Sequence, residues 1–163
     1  MNIRWRQASR SANGSKVFVD DSLQDGASIY HNTYVMGDVE VGRHTWIGPF
    51  VMLDGRAGIQ IGDYCSISTG VQIYTHDTVK WALSGGKAEF ELGAVRIGDC
   101  TYVGSQSVVL HGVTIGDHCV VGAHSLVDRD LPSHTIAFGV PARQRGTVEV
   151  AKDGDIQLVL DNP

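Results

Sequence analysis

The side chains with the most chemical capacity in this chain gather in one stretch. Between Ile73 and Ile97 the sequence reads Y-T-H-D-T-V-K-W-A-L-S-G-G-K-A-E-F-E-L-G-A-V-R, which opens on His76 and Asp77 and carries Trp81, Phe90, Glu89 and Glu91. Imidazole exchanges its proton near neutral pH, and the flat faces of Trp81 and Phe90 could stack on the apolar face of a pyranose. Gly85 and Gly86, set between the two aromatics, read as a flexible turn that lets the loop fold over something. The same residues also fit a decorative loop whose aromatics pack on the body of the protein or on a neighbouring subunit.

Other reactive groups are scattered. Cys65, Cys100 and Cys119 are an odd number with no C-x-x-C pair, a spacing that does not suggest a disulfide framework or a zinc site. Cys65 and Cys119 read as small packing residues, whereas Cys100 falls one place earlier in its unit, near a corner. Of the remaining histidines, His31, His44, His118, His124 and His134 read as solvated wall residues, and the role of His111 is open.

The element that must position these groups is written in a period of six. An aliphatic residue recurs at Val17, Leu23, Ile29, Val35, Val41, Ile47 and Leu53, again at Ile61, Ile67 and Ile73, and again at Ile97, Val103, Val109, Ile115, Val121 and Val127. Neither helical spacing nor strict alternation accounts for this. Four residues after the aliphatic position comes a small one (Ala27, Thr33, Thr45, Cys65, Thr101, Ser107, Cys119, Ser125), so both positions point inward. Glycine follows many of the aliphatics (Gly42, Gly48, Gly62, Gly98, Gly104, Gly116, Gly122), where a Cβ would collide at a tight corner. Three such units make a coil of about 18 residues, and stacked coils pair strand on strand into a triangular prism. The expectation is an all-β chain built on a parallel β-helix of about five coils.

Two breaks interrupt the phase: an insertion of two residues near Gly55 to Gly58, and the long excursion over 76–94. The organisation expected is one domain, with an N-terminal segment at 1–16, the β-helix at 17–132, and a C-terminal extension at 133–163. The last segment contains V-E-V-A-K-D-G-D-I-Q-L-V-L, a hairpin signal centred on Asp153-Gly154. With 163 residues, 42% hydrophobic content and a net charge of -5, the chain is long enough for its own core. Its charge argues against binding nucleic acid, which clustered Lys and Arg would carry. No stretch approaches the ~20 apolar residues of a membrane span, and with no secretory signal pattern a cytoplasmic location is the default.

The run I-G-D-C-T-Y-V-G-S-Q-S-V-V-L-H-G-V-T-I-G-D-H-C-V-V-G-A-H-S-L-V-D-R-D-L-P, followed by G-V-P-A-R, closely resembles the hexapeptide-repeat acyltransferases, above all the galactoside and maltose O-acetyltransferase branch. The likeness covers about residues 59 to 145. It implies a left-handed β-helix, a homotrimer with active sites shared between subunits, acetyl-CoA as donor, no metal, and a sugar or glycan precursor as acceptor. The resemblance also implies that His76, in Y-T-H-D, is the catalytic base, that Ser105 in Y-V-G-S lies by the thioester, and that Ala123 in V-G-A contacts the pantetheine arm. Tyr102 stands where the family usually has tryptophan, and Arg143 matches a basic residue near the nucleotide end. Arg129 and Arg145 are further cations with the reach to pair with phosphate.

This sequence departs from that pattern in places. His111 replaces the usual proline, Asp128 replaces threonine, and the asparagine pair one coil before the histidine is replaced by G-P-F-V-M. The N-terminal helical segment of that branch has no counterpart. The donor half therefore matches better than the acceptor half, and N-acetylation of an amino sugar or a longer acyl donor stays open. A γ-class carbonic anhydrase reading meets Gln106 and Tyr74 where two of three histidine ligands belong, so tetrahedral zinc binding fails. A non-catalytic scaffold remains a second rival, because fold alone does not set function.

Overall fold

The computed structural model describes residues 3–5 and 26–161. The period of six becomes a left-handed parallel β-helix of about six turns. On the first face, Ser28–Ile29, Trp46–Ile47, Ser66–Ile67, Tyr102–Val103, Val120–Val121 and the start of Thr135–Gly139 pair in parallel in that order. The second face stacks the first halves of Tyr34–Val41 and Met52–Ile61 with Gln72–Tyr74, Val108–Val109 and Leu126–Val127. The third stacks the second halves of the two long strands with Val95–Ile97 and Thr114–Ile115, and ends in a single bridge from Ile115 to Leu131.

The sixth turn exceeds the count of about five that the hexads suggest. Leu131 follows Val127 by four residues instead of six, so the phase slips, and the next inward residue is Ala137 in place of a large aliphatic. Both are buried. Val17 and Leu23 lie outside the described residues. On the third face the edge of Val39–Val41 is paired antiparallel with Ile3–Trp5.

The aliphatic column is dry: Ile47, Leu53, Ile67, Ile73, Val103, Val109, Val121 and Val127 have no exposed surface. The small inward residues are buried beside it, and their hydroxyls are satisfied by the next rung. Thr45 Oγ1 donates to Gly62 O at 2.7 Å and accepts the Cys65 N–H at 2.9 Å, while Thr101 Oγ1 donates to Gly116 O at 2.9 Å. Thr, Ser and Cys are thus interchangeable in the column because each fits the width and leaves no unpaired polar group.

Isoleucine-glycine-aspartate has its own logic. Asp63 Oδ1 accepts the Arg43 N–H at 2.7 Å, Asp99 Oδ1 the Asp63 N–H at 2.8 Å, Asp117 Oδ1 the Asp99 N–H at 2.8 Å, and Ser133 Oγ the Asp117 N–H at 3.0 Å. Each carboxylate lies over the glycine of the rung before it. A Cβ on Gly62 or Gly98 would meet the Asp99 or Asp117 Oδ1 at 2.2 Å. These glycines are there for close approach. The backbone turns two residues later, where Asn32, His44, Phe50, Tyr64, Cys100, Gln106, His118, His124 and His134 all adopt positive φ.

Such a left-handed residue costs roughly 1–2 kcal/mol. The N–H at the turn recovers part of this by bonding the rung before, as in Tyr64 to Arg43 O, Cys100 to Asp63 O and His118 to Asp99 O, each within 2.8–2.9 Å. Four histidines expected on the walls therefore stand at corners. His44 stacks on Tyr64 at 4.7 Å and His118 on His134 at 5.1 Å, because successive corners lie one strand spacing apart.

At the C-terminal end the expected hairpin forms. Ala142–Val150 pairs antiparallel with Ile156–Leu160 and, on its other edge, with Thr135–Gly139, so the first face continues past the last coil.

Candidate active site

The site is built where the second face turns into the third. Thr75, which ends the buried part of the third coil, is fully enclosed. Its hydroxyl donates to Asp54 O at 2.7 Å and accepts the Ala57 N–H at 2.9 Å, pinning the inserted segment of the coil before. Its carbonyl accepts the Gly93 N–H at 3.0 Å, and Gly93 O accepts the Gly112 N–H at 3.0 Å. The neck leaves no space for a side chain, since a Cβ on Gly93 would meet Gly112 N at 2.6 Å. The excursion thus leaves and re-enters the prism through a clamped gate.

Beyond the neck the loop is ordered. His76–Asp77 pairs antiparallel with Glu91–Leu92, and Val79–Leu83 forms a short helix that buries none of its residues. Asp77 Oδ1 accepts the Val79 N–H at 2.5 Å, and Lys80 pairs with Glu91. The diglycine is the stop of that helix and not a hinge. Gly85 and Gly86 take φ of +66° and +83°, with their N–H groups bonded to Ala82 O and Trp81 O. Left-handed glycines end a helix in this way.

His76 projects from the first residue past the neck. Its side chain is 19% exposed, and Nδ1 lies 3.2 Å from Asp54 Oδ2. The two are in ion-pair reach, but the approach is out of line for a hydrogen bond, so Nδ1 is buried without a hydrogen-bond partner. Unliganded sites commonly hold such pairs loosely. The other face of the ring stacks on Phe90 at 6.1 Å and 25°. Trp81 meets Phe90 edge-on at 5.8 Å, and the Arg56 guanidinium lies over Phe90 at 5.3 Å.

Asp54 is the residue that sequence reasoning misses. It follows the core residue Leu53 and pairs in register with Tyr74, two residues short of the histidine. The available signal is an acid in the coil just before the excursion, beside the inserted residues. The insertion itself is legible in the register, where Gly37 faces Gly55 but Val39 faces Ile59.

The structure brings His76, Trp81 and Phe90 together and keeps the other expected site residues apart from them. Tyr102 stands outward on the first face, 43% exposed. Ser105 is half-buried and Ala123 exposed at the corner between the first and second faces, one rung apart, with Ser105 O accepting the His124 N–H at 2.9 Å. That corner is across the second face from His76. Arg143 donates through Nη1 to Asp128 Oδ1 at 3.0 Å, and Arg129 Nε donates to the same oxygen at 3.0 Å. Together Arg129 and then Arg143 hold the Asp128 carboxyl below its ordinary range. His111 stands half-buried beside Gly112, one rung above the neck.

Among the described residues no three His, Cys, Asp or Glu side chains converge as metal ligands, and no helix is long and apolar enough to cross a membrane. Burial pushes the Cys65 thiol up to about 11 and raises Cys119, as expected for packing residues. Cys100 is exposed at its corner.

Comparison with known proteins adds a chemical context. The profile of the family described as bacterial transferase hexapeptide (six repeats) matches residues 94–129. Galactoside O-acetyltransferase of Escherichia coli K12 is 30% identical over 123 residues, 63% of this chain and 61% of that relative, so the chain spans about three fifths of its length. A hexapeptide-repeat acetyltransferase of Vibrio cholerae, solved with acetyl-CoA, superposes with a TM-score of 0.65 at 31% identity, covering 71% of this chain and 63% of that one. The N-acyltransferase AntD of Bacillus cereus, solved with dTDP and 3-hydroxybutyryl-CoA, superposes with a TM-score of 0.66 at 25% identity, covering 72% and 67%.

Proposed function

Starting from a chain that carries the hexapeptide repeats of the bacterial transferases and resembles galactoside O-acetyltransferase, we propose that it transfers an acetyl group from acetyl-CoA to a hydroxyl of a sugar or glycan precursor. The observation that carries this reading is His76, held at the mouth of the excursion with Nδ1 toward Asp54 and its ring against Phe90. That arrangement leaves Nε2 to take the acceptor proton. The hydroxyl oxygen then attacks the thioester carbonyl, the C–S bond breaks, and the imidazolium returns the proton to the departing thiolate. No covalent acyl-enzyme is required, and direct attack in a ternary complex is the expected course. Asp54 is a positioning residue: once Nδ1 and its carboxylate come into line, it fixes the tautomer and steadies the imidazolium. The Ser105 hydroxyl, or a backbone N–H beside it, supplies the oxyanion donor, a task typically worth on the order of 100-fold.

His76 and the expected coenzyme residues Ser105 and Ala123 occupy different corners of one prism. A site that uses both needs two copies of the chain, which supports a homotrimer with the catalytic groups at the seams. N-acylation of an amino sugar is the second reading, favoured by the likeness to AntD. A thiol-release assay with acetyl-CoA against sugars, amino sugars and nucleotide sugars decides between them. Turnover with a hydroxyl acceptor, lowered about 100- to 10,000-fold in His76→Ala, is the result expected. Activity within tenfold of the parent, or an acetylated Ser105 or Cys100 trapped on the chain, overturns the mechanism.

A further inference from the structure

The two residues added to the second coil have no role in winding the prism. They fall in the segment Arg56-Ala57-Gly58, which faces the single Asp38 of the coil before. The Thr75 hydroxyl fixes both ends of the turn, through Asp54 O and Ala57 N–H, and Gly58, at φ +101°, turns the chain back with open space around it. The Arg56 guanidinium comes to lie over the Phe90 ring, 5.3 Å from its centroid, and the same ring meets His76 and Trp81. Arg56 is exposed, and its guanidinium has no carboxylate partner among the described residues.

Of the acids nearby, Asp54 faces His76, Glu91 pairs with Lys80 and Asp77 caps Val79, while Glu89 is exposed to solvent. A guanidinium laid on an aromatic face keeps its donor edge free, and that planar fork matches a carboxylate or phosphate in bidentate fashion.

We propose that Arg56 selects an acceptor bearing an acid group, either a sugar carboxylate or a sugar phosphate, and that it grips that group while His76 addresses the hydroxyl or amine to be acylated. This rests on the acyl-transfer reading of the same site. It belongs to the acceptor because the pantetheine arm separates the thioester from the coenzyme's own phosphates, so a cation that shares the Phe90 ring with His76 stands on the acceptor's side.

The test uses acceptors in matched pairs: glucose against glucose 1-phosphate and glucuronate, and glucosamine against glucosamine 6-phosphate, each with acetyl-CoA. The parent protein should favour a charged member in kcat/KM by about 10- to 100-fold, the range of a charge-assisted hydrogen bond. Arg56→Gln should erase that preference through KM for the charged member while KM for acetyl-CoA is kept, and Arg56→Lys should restore part of it. Equal use of charged and neutral members, an equal loss on both, or a raised KM for acetyl-CoA in place of the acceptor overturns the proposal. Calorimetric titration of the parent and of Arg56→Gln with glucose 1-phosphate and glucuronate reads the anion site independently of turnover. Binding weakened by Arg56→Gln with no thiol released sinks the acyl-transfer reading and leaves the anion site standing, whereas no difference in binding or in preference sinks the anion site itself. The carboxylate and phosphate arms separate the two sources of the acid group.

Discussion

His76 and Asp54 make a pair in which each member guards the other. Asp54 is buried and its side chain only 10% exposed, so His76→Ala leaves a carboxylate enclosed beside an empty space. Such an unpartnered group costs roughly 1–3 kcal/mol, and thermal melts should show His76→Ala less stable than the parent. The double variant Asp54→Asn/His76→Ala should recover most of that loss without recovering activity. Asp54→Asn alone should keep the fold and the acetyl-CoA KM and lower kcat. Failure of the double variant to recover stability would mean that the two side chains are not coupled.

The cysteines offer a separate check. Iodoacetamide at mildly alkaline pH should label Cys100 in the native protein and spare Cys65 and Cys119 until denaturant is added, as read by mass spectrometry. Because burial raises the folded Cys65 thiol to about 11 from 9.0, the unfolded chain loses that proton first. Stability from this group is therefore intact below about pH 9 and falls as the pH climbs through about 11. The histidine, the aromatics and the packing cysteines were all legible from type and position. Asp54 was not, because its meeting with His76 depends on how the inserted residues bend the coil, and a one-dimensional period contains no such information.

At the scale of elements, the six-residue unit was readable because two inward positions repeat in it, and the hydrogen bonds between units were not. The glycine before each aspartate looked like a turn residue, yet the turn falls two places later at residues such as Tyr64, Cys100 and His118. The glycine serves instead to admit the next rung's carboxylate. Gly98→Ala should thus destabilise by about 1–3 kcal/mol through overpacking against Asp117, and Asp117→Ala by a similar amount through the lost acceptor for the Asp99 N–H. Combined, the two changes should cost less than their sum in a denaturant titration, since the second removes the nearest atom that the first collides with, Asp117 Oδ1 at 2.2 Å, and leaves the backbone contacts at 2.7 Å. Strict additivity would separate the glycine from the carboxylate. The excursion was placed correctly, but its diglycine closes a helical turn, and no six-residue count reveals a helix of five residues.

The whole molecule adds a constraint that no single element carries. With the imidazole at one corner and Ser105 and Ala123 at another, light scattering on the purified protein should report a trimer, and dilution to monomer should abolish thiol release. A monomer that still transfers acyl groups would place the whole site within one prism and contradict this reading. Among the described residues the stacked coils were readable from the sequence; the sixth turn escaped because Leu131 slips the phase and Ala137 is too small to advertise a core position.

The Gly-Asp ladder also has a direction. Each acceptor lies later in the chain than the amide it serves: Asp63 for Arg43, Asp99 for Asp63, Asp117 for Asp99, Ser133 for Asp117. A polypeptide leaving the ribosome therefore carries a newest turn whose amide still waits for residues not yet synthesised.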